Sequence, residues 1–146
     1  MKPSHVSLRA VCLADKPFLL SLRKLTMTGH LQNAKQPTDD AEHMARIHFH
    51  IEDARIIQWN TVDVGLLKAY RSDGYWIILQ IQILPDYQKQ GIGTEAIRTI
   101  LAIAKHENVT VRLGVLKENQ ARRLYERLGF VVSSETEIDY QMSFTG

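Results

Sequence analysis

The segment Gln88-Lys89-Gln90-Gly91-Ile92-Gly93-Thr94 combines two glycines, two amides, a cation and a hydroxyl, and is the stretch of the chain best suited to hold an anion. An apolar run from Tyr75 to Leu84, dominated by aromatic and β-branched residues, precedes it and reads as a largely buried strand that Pro85 ends. Behind it, Ala96, Ile97, Ile100, Leu101 and Ala104 recur at three- and four-residue steps, which gives one apolar face to a helix starting near Gly91. The first turn of such a helix leaves about four N–H groups without internal partners and carries partial positive charge, which suits a phosphate. Gly91 and Gly93 remove side chains where a pyrophosphate would approach the backbone, and Gln88, Lys89, Gln90 and Thr94 add donors around it. The other reading of the same residues is a glycine turn that binds nothing.

Two familiar phosphate motifs do not fit. Gly91-Ile92-Gly93-Thr94-Glu95-Ala96 satisfies the glycine spacing of a dinucleotide fingerprint. That fingerprint follows a first strand and has an acidic residue about twenty positions on. Here Arg112, Leu113, Gly114 and Val115 stand near that place, and little chain follows. A P-loop requires a Lys-Ser or Lys-Thr pair after the glycines, and none is there.

The run from Gln88 to Gly93, behind a strand ending Ile83-Leu84-Pro85, resembles the acetyl-CoA signature of the GNAT superfamily of N-acetyltransferases, (Gln/Arg)-x-x-Gly-x-(Gly/Ala). A second block, from Asn119 through Ala121, Leu124 and Tyr125 to Gly129-Phe130, is similar to the family's later helix, Asn-x-x-Ala-x-x-Leu-Tyr followed by Gly-Phe. Both stand in the family's order with one strand between them. The resemblance covers roughly the last half of the chain.

The elements read along the chain give the order βααβββαβαββ and a mixed α/β sheet, and the resemblance implies that the central strand is splayed from the following parallel strand to admit a pantetheine arm. It also implies acetyl-CoA as cosubstrate and direct attack of an amine on its thioester. Backbone groups of Ile81, Gln82 and Ile83 are the implied holders of the pantetheine amide and acetyl carbonyl. Asn119 caps its helix or bonds the pantetheine. Tyr125 is the implied proton donor to the departing thiolate, since a phenol with pKa near 10 can serve. Packing is its other reading, because Ala121, Leu124, Tyr125 and Leu128 form a helical stripe.

Two departures from the family pattern matter. Gln88 stands where many relatives carry Arg, which removes a charge-assisted phosphate contact and shifts weight to Lys89 and the backbone. Gln80 and Gln82 stand where many carry a carboxylate base on the central strand. An amide is no base, so deprotonation of the amine runs through water or a residue of the first half such as His30 or His48. A non-catalytic acyl-CoA-binding or sensory module on the same fold is the alternative.

Composition sets wide bounds. A chain of 146 residues, 45% hydrophobic and 23% charged, is of single-domain length and can bury about 70% of its unfolded surface in one core. The formal charge of +2 suits an anionic cosubstrate, but Lys and Arg are dispersed and no aromatic-interleaved basic patch points to nucleic acid. The N-terminus lacks the apolar core of a signal peptide, the longest apolar run is too short for a membrane span, and the lone Cys12 has no internal disulfide partner. These features suit a reducing cytoplasm. A homodimer is common on the implied fold, and no residue here decides it.

The remaining elements follow from periodicity. Val6 to Val11 reads as a strand, and Asp15 with Pro17 opens a helix with Phe18, Leu22, Leu25 and Gly29 on one face. The opposite face offers Arg23, Thr26, Met27 and His30, and Arg23, Met27, His30 and Gln80 are the candidates for acceptor contact. Gln32 to Pro37 reads as a polar connection. Thr38 to Ile51 reads as a second helix with Ala41, Met44, Ala45, Ile47 and His48 toward the fold. His43, His48 and His50 lack metal-ligand spacing, so no metal is expected. Arg55 to Gln58, Val62 to Tyr70 and the central strand form an antiparallel meander. Val109 to Val115 alternates as a strand, Lys117 to Leu128 reads as a helix ending at Gly129, and Phe130 to Ser133 and Tyr140 to Phe144 close the sheet.

Overall fold

The computed structural model describes residues 6–33 and 40–145, with the side chains of residues 27–33 outside the description. Seven strands form one mixed sheet: β1 (Val6–Ala10), β2 (Ala54–Trp59), β3 (Val62–Ser72), β4 (Tyr75–Ile83), β5 (Thr110–Leu116), β6 (Val131–Glu135) and β7 (Asp139–Phe144). Their spatial order is β1-β2-β3-β4-β5-β7-β6, and β4 with β5 is the parallel pair. Four α-helices, α1 (Lys16–Asn33), α2 (Asp40–His48), α3 (Ile92–Glu107) and α4 (Ala121–Leu128), interleave with the strands in the order βααβββαβαββ.

Alternation along the strands gives the sheet two buried faces. On β2 and β3, Ile57 and Leu67 join the α3–α4 core with Ile97, Ile100, Val111, Tyr125 and Phe130. Their neighbours Ile56 and Leu66 join a smaller core with Leu19 and Leu22 of α1 and Ile47 of α2. Each fully buried Ile or Leu contributes about 1.5–3 kcal/mol over its exposed state, so both layers are held chiefly by apolar burial.

The meander carries one irregularity that matters for function. Lys68 of β3 pairs with Gln80 and Ala69 pairs with Ile78, so Leu79 has no partner and β4 bulges there. The extra residue reverses the side-chain alternation. Trp76 and Ile78 face the α3–α4 core before the bulge, and Ile81 and Ile83 face it after. Gln80 and Gln82 are thereby turned to the α1–α2 side.

Three sequence expectations are corrected. On α1 the buried residues are Leu19, Leu22 and Arg23, while Leu25 is exposed. The helix is rotated from the all-apolar face because Arg23 finds a buried partner in α2. On α2, His43 and Ile47 are buried, whereas Ala41, Ala45 and His48 are exposed. That helix ends at His48, where Lys68 takes up its last carbonyls, and a short 3-10 turn covers Ile51–Asp53. Finally, α4 begins at Ala121 rather than Lys117, and Asn119 Oδ1 accepts the Ala121 N–H at 2.9 Å from the turn before it. Residues 34–37 of the expected polar connection and Thr38-Asp39 of the expected helix start lie outside the described residues.

Candidate active site

The parallel ladder is short. β4 and β5 pair only from Tyr75 with Thr110 to Ile78 with Leu113, and beyond that β4 continues to Ile83 and β5 to Leu116 without each other. On its far side β5 stays paired with β7 as far as Leu116 with Asp139. The separation of β4 from β5 opens a cleft of about 590 Å³ through the sheet. Leu79 to Gln82 and Gly114 to Leu116 form its two strand walls; Arg23 and Arg46 line it from the α1–α2 layer, and Asn119 and Tyr125 from the α4 side.

Backbone register decides which groups face the opening. A Cβ on Gly65 of β3 would stand 2.3 Å from the Gln82 carbonyl oxygen, so that carbonyl points to β3. Leu84 N–H likewise donates to Val64 O at 2.8 Å. Backbone groups alternate along a strand, so those of Ile81 and Ile83 point into the splay. Of the three expected backbone contributors, Ile81 lines the cleft, Ile83 is turned the same way but lies outside the lining with its carbonyl held by Gln88, and Gln82 offers its side chain instead.

The loop after β4 is wound tightly. A 3-10 turn covers Pro85–Tyr87; Gln88 Nε2 donates to Ile83 O at 2.9 Å and Gln90 Nε2 to Asp86 O at 3.1 Å. Both amides thus brace the loop while remaining exposed. Lys89 and Gly91 adopt left-handed backbone with φ of 63° and 84°. Glycine takes that conformation freely, whereas Lys89 is strained by about 1–2 kcal/mol. The first intrahelical bond of α3 runs from Glu95 N–H to Gly91 O, which leaves the amides of Ile92, Gly93 and Thr94 available at the helix start. The Ile92 side chain is core, at 1% exposure, so only its amide can serve a ligand. Gly93 packs near Ile81 and Ile83, which ties the helix start to the splayed strand. This donor set fits a pyrophosphate, with the amides at the helix N-terminus as donors and the exposed Lys89 as the nearby cation.

Tyr125 lies inside the cleft wall at 6% exposure, edge-on to Phe130 with ring centroids 6.0 Å apart. Burial pushes its phenol up to about 12, so the hydroxyl stays protonated at neutral pH. Asn119 is half-buried at the same wall, its oxygen spent on the Ala121 N–H and its Nδ2 left for a ligand.

The α1–α2 side is more polar than sequence periodicity suggests. Arg23 is 3% exposed and its Nε donates to Nδ1 of the buried His43 at 3.1 Å. Its Nη1 is buried without a hydrogen-bond partner, as is Nε2 of Gln82. Burial, together with the Arg46 charge, lowers the Arg23 guanidinium to about 10, which leaves it a cation at any working pH. Lys68 is buried beside them and donates to the carbonyls of Arg46, Ile47 and Phe49 at 2.8, 2.7 and 2.6 Å. Burial and the Arg23 charge lower its ammonium to about 8. Arg46, His43 and Lys68 were missed by sequence reasoning. Lys68 sits between Leu67 and Ala69 of β3, and a cation within that apolar stretch was the only signal.

Other expectations fall elsewhere. Arg23 and Gln80 line the cleft. The side chains of Met27 and His30 lie outside the described residues. His48 is exposed and is no part of the cleft lining. His50, Glu52 and Asp53 place ligand-type atoms within 4.8 Å of one another, but His50 Nδ1 already contacts Asp53 at 2.9 Å and its ring stacks on Tyr70. Asp139 lines the cleft and accepts the Thr136 hydroxyl at 2.7 Å in the turn before β7.

A mixed sheet whose parallel β4–β5 pair parts into a splay is the fold shared with solved acetyltransferase structures. Residues 21–130 match the Acetyltransferase (GNAT) family, and the chain belongs to it. It is therefore an acetyltransferase with acetyl-CoA as its cosubstrate. Among solved structures, the PaiA N-acetyltransferase of Thermoplasma acidophilum in complex with coenzyme A superposes with a TM-score of 0.75 at 14% identity, over 97% of this chain and 99% of that one. Arabidopsis thaliana Naa50, bound to the bisubstrate analogue CoA-Ac-MVNAL, gives 0.69 at 19% identity over 97% and 99%. The ribosomal-protein-S18-alanine N-acetyltransferase of Escherichia coli gives 0.70 at 18% over 96% and 93%. Curated protein sequences give no significant match. Among the described residues no helix is long and apolar enough to cross a membrane.

Proposed function

We propose that this protein moves the acetyl group of acetyl-CoA to the primary amine of a small molecule or peptide, by direct attack within a ternary complex. The observation that carries the reading is the cleft itself. It passes from the α3–α4 layer, where the pyrophosphate cradle and Tyr125 lie, to the α1–α2 layer, where Arg23, Gln80 and Gln82 lie. Two ligands can thus meet from opposite faces. When bound, acetyl-CoA supplies an activated carbonyl. The amine nitrogen forms a bond to that carbon, the carbon–sulfur bond breaks, the ammonium proton leaves to water, and the sulfur takes a proton.

The residues divide that work. The Ile81 and Ile83 N–H groups supply ladder positions that β5 does not use, the Ile83 carbonyl being held by Gln88, and an N–H there polarises the carbonyl. Tyr125 donates a hydrogen bond to the sulfur as charge develops on it. Complete transfer of its proton alone would be uphill, because a phenol near 12 faces a thiol of pKa about 8.5, a difference of roughly 5 kcal/mol. The hydrogen bond is therefore the main contribution, and solvent completes the protonation. No carboxylate occupies the central strand, but Arg23, Arg46 and Lys68 set a positive field on the acceptor side. Like charge disfavours an ammonium, so the field itself lowers the acceptor pKa toward the free amine.

The test is ligand-linked stability with thiol release. Acetyl-CoA at a hundred times its dissociation constant should stabilise the fold by about 2.7 kcal/mol. A melting temperature that ignores millimolar acetyl-CoA would remove the reading. Stabilisation without thiol release for any amine would favour the non-catalytic acyl-CoA-binding module.

A further inference from the structure

On the acceptor side of the cleft two buried donors lack partners, and Asp139 of β7, which lines the same opening, forms no ion pair with either arginine there. Arg23 Nη1 and Gln82 Nε2 are buried without partners, and both belong to residues lining the same opening. The exposed Arg46 lines it too. No described carboxylate forms an ion pair with either guanidinium. Lys68 differs, because three carbonyls already hold its ammonium.

We propose that the acceptor is an acidic amine, with a carboxylate a few bonds from its amino group, and that Arg23, Gln82 and Arg46 hold that carboxylate while the amine reaches the thioester. This rests on the acetyl-transfer reading above and names its substrate class. A buried N–H with no partner is costly, more so when the group is charged, and an arginine cannot relieve that cost by losing its proton. A carboxylate is an acceptor-only group with several lone pairs, which matches donors that lack partners. It also removes the like-charge penalty that a plain ammonium would meet beside two guanidiniums. A diamine brings a second cation into the same field and is disfavoured. The same donors would suit a phosphate on the acceptor, or a carboxylate on the acyl chain, and these are separated below.

The experiment compares amines of one chain length with acetyl-CoA and the full chain: 4-aminobutyrate, butylamine and 1,4-diaminobutane. The expected order of kcat/KM is carboxylate, then neutral, then dication, with at least tenfold at the first step. Calorimetry on protein saturated with coenzyme A should show the same order of affinity, so the inference is tested even if no amine in the panel turns over. Arg46→Gln, at an exposed position, should cut the preference several-fold. Arg23→Met should abolish it while acetyl-CoA still raises the melting temperature. Equal affinities, or a preference for diaminobutane, would overturn the acidic-amine inference and leave the acetyl-CoA reading standing. O-phosphoethanolamine outperforming 4-aminobutyrate would reassign the donors to a phosphate. Succinyl-CoA outperforming acetyl-CoA with butylamine would assign the carboxylate to the acyl chain and overturn the inference as well.

Discussion

Arg23 donates from Nε to Nδ1 of His43 at 3.1 Å, and at 3% and 1% exposure the two residues fasten α1 to α2 beneath the acceptor side of the cleft. Because a guanidinium only donates, His43 Nδ1 must carry its lone pair, and the neutral ring keeps its proton on Nε2. The bond aims the rest of the guanidinium at the opening. It also explains how an arginine comes to lie among Leu19 and Leu22.

His43→Leu should therefore act on Arg23 twice. The Nε–H loses its acceptor, at a cost of about 1–3 kcal/mol, and the guanidinium gains freedom to turn. KM for the acceptor should rise several-fold, with the affinity for acetyl-CoA unchanged. Equal losses for both ligands in kinetics and calorimetry would show that the histidine supports the whole fold and not the orientation of Arg23.

The start of α1 depends on a second polar knot. Arg9 of β1 makes a two-pronged contact with Asp15 at 2.8 and 2.9 Å and also reaches Asp63 of β3 at 2.9 Å, while Cys12 N–H donates to Asp15 at 2.8 Å. The Arg9 contact holds the Asp15 carboxyl far below the usual carboxylate range and lowers Asp63 as well. A depressed carboxyl contributes stability above its unfolded value, near 3.9, and loses it as pH falls through the folded value. Urea midpoints should hold steady from pH 7 to about 5 and drop below about 4. Asp15→Asn should cost about 2–3 kcal/mol at pH 7 and flatten that acid limb. A variant with the wild-type acid limb would exclude Asp15 as its source.

Gly65 is a constraint of space. Any side chain there meets the Gln82 carbonyl at 2.3 Å, and β3 would have to leave β4 just where β4 lines the cleft. Gly65→Ala should destabilise by about 1–3 kcal/mol and raise KM for both ligands, because Ile81, Gln82 and Ile83 move together. Unchanged stability and kinetics would mean that the strand yields without disturbing the site.

Periodicity and turn chemistry revealed most of the scaffold, because α3, β3, β4 and β5 each bury a regular apolar pattern. The loop from Gln88 to Thr94 was legible for the same reason, since glycines and amides have few uses between a strand and a helix. The acceptor side was legible only in part. Arg23 and Gln80 were candidates for acceptor contact and line the cleft, but periodicity gives no sign that Arg23 and His43 are buried, since only their partnership across two packed helices makes that burial tolerable. Lys68 is invisible for a related reason, as its three carbonyl partners come from the end of α2 and the turn behind it. The bulge at Leu79 leaves no mark in composition. It nonetheless decides that Gln80 and Gln82, and not their apolar neighbours, face the acceptor layer.

Tyr125 separates chemistry from packing by one oxygen. Its ring fills the wall against Phe130, so Tyr125→Phe should leave stability within about 1 kcal/mol of wild type. The hydroxyl is the donor proposed for the sulfur. Its loss should lower kcat by about a hundredfold, as removal of a transition-state donor does, with little change in acetyl-CoA affinity. The pH profile adds an independent check. Burial pushes the phenol up to about 12, so wild-type kcat should climb as the acceptor loses its proton and show no falling limb below about pH 10 from this residue. A falling limb near pH 8 or 9 that disappears in Tyr125→Phe would show a phenol far more acidic than its buried position allows. Weakened acetyl-CoA binding with normal kcat would make Tyr125 a positioning residue. Wild-type kcat at every pH would remove it from the mechanism and leave water as the only proton source for the sulfur.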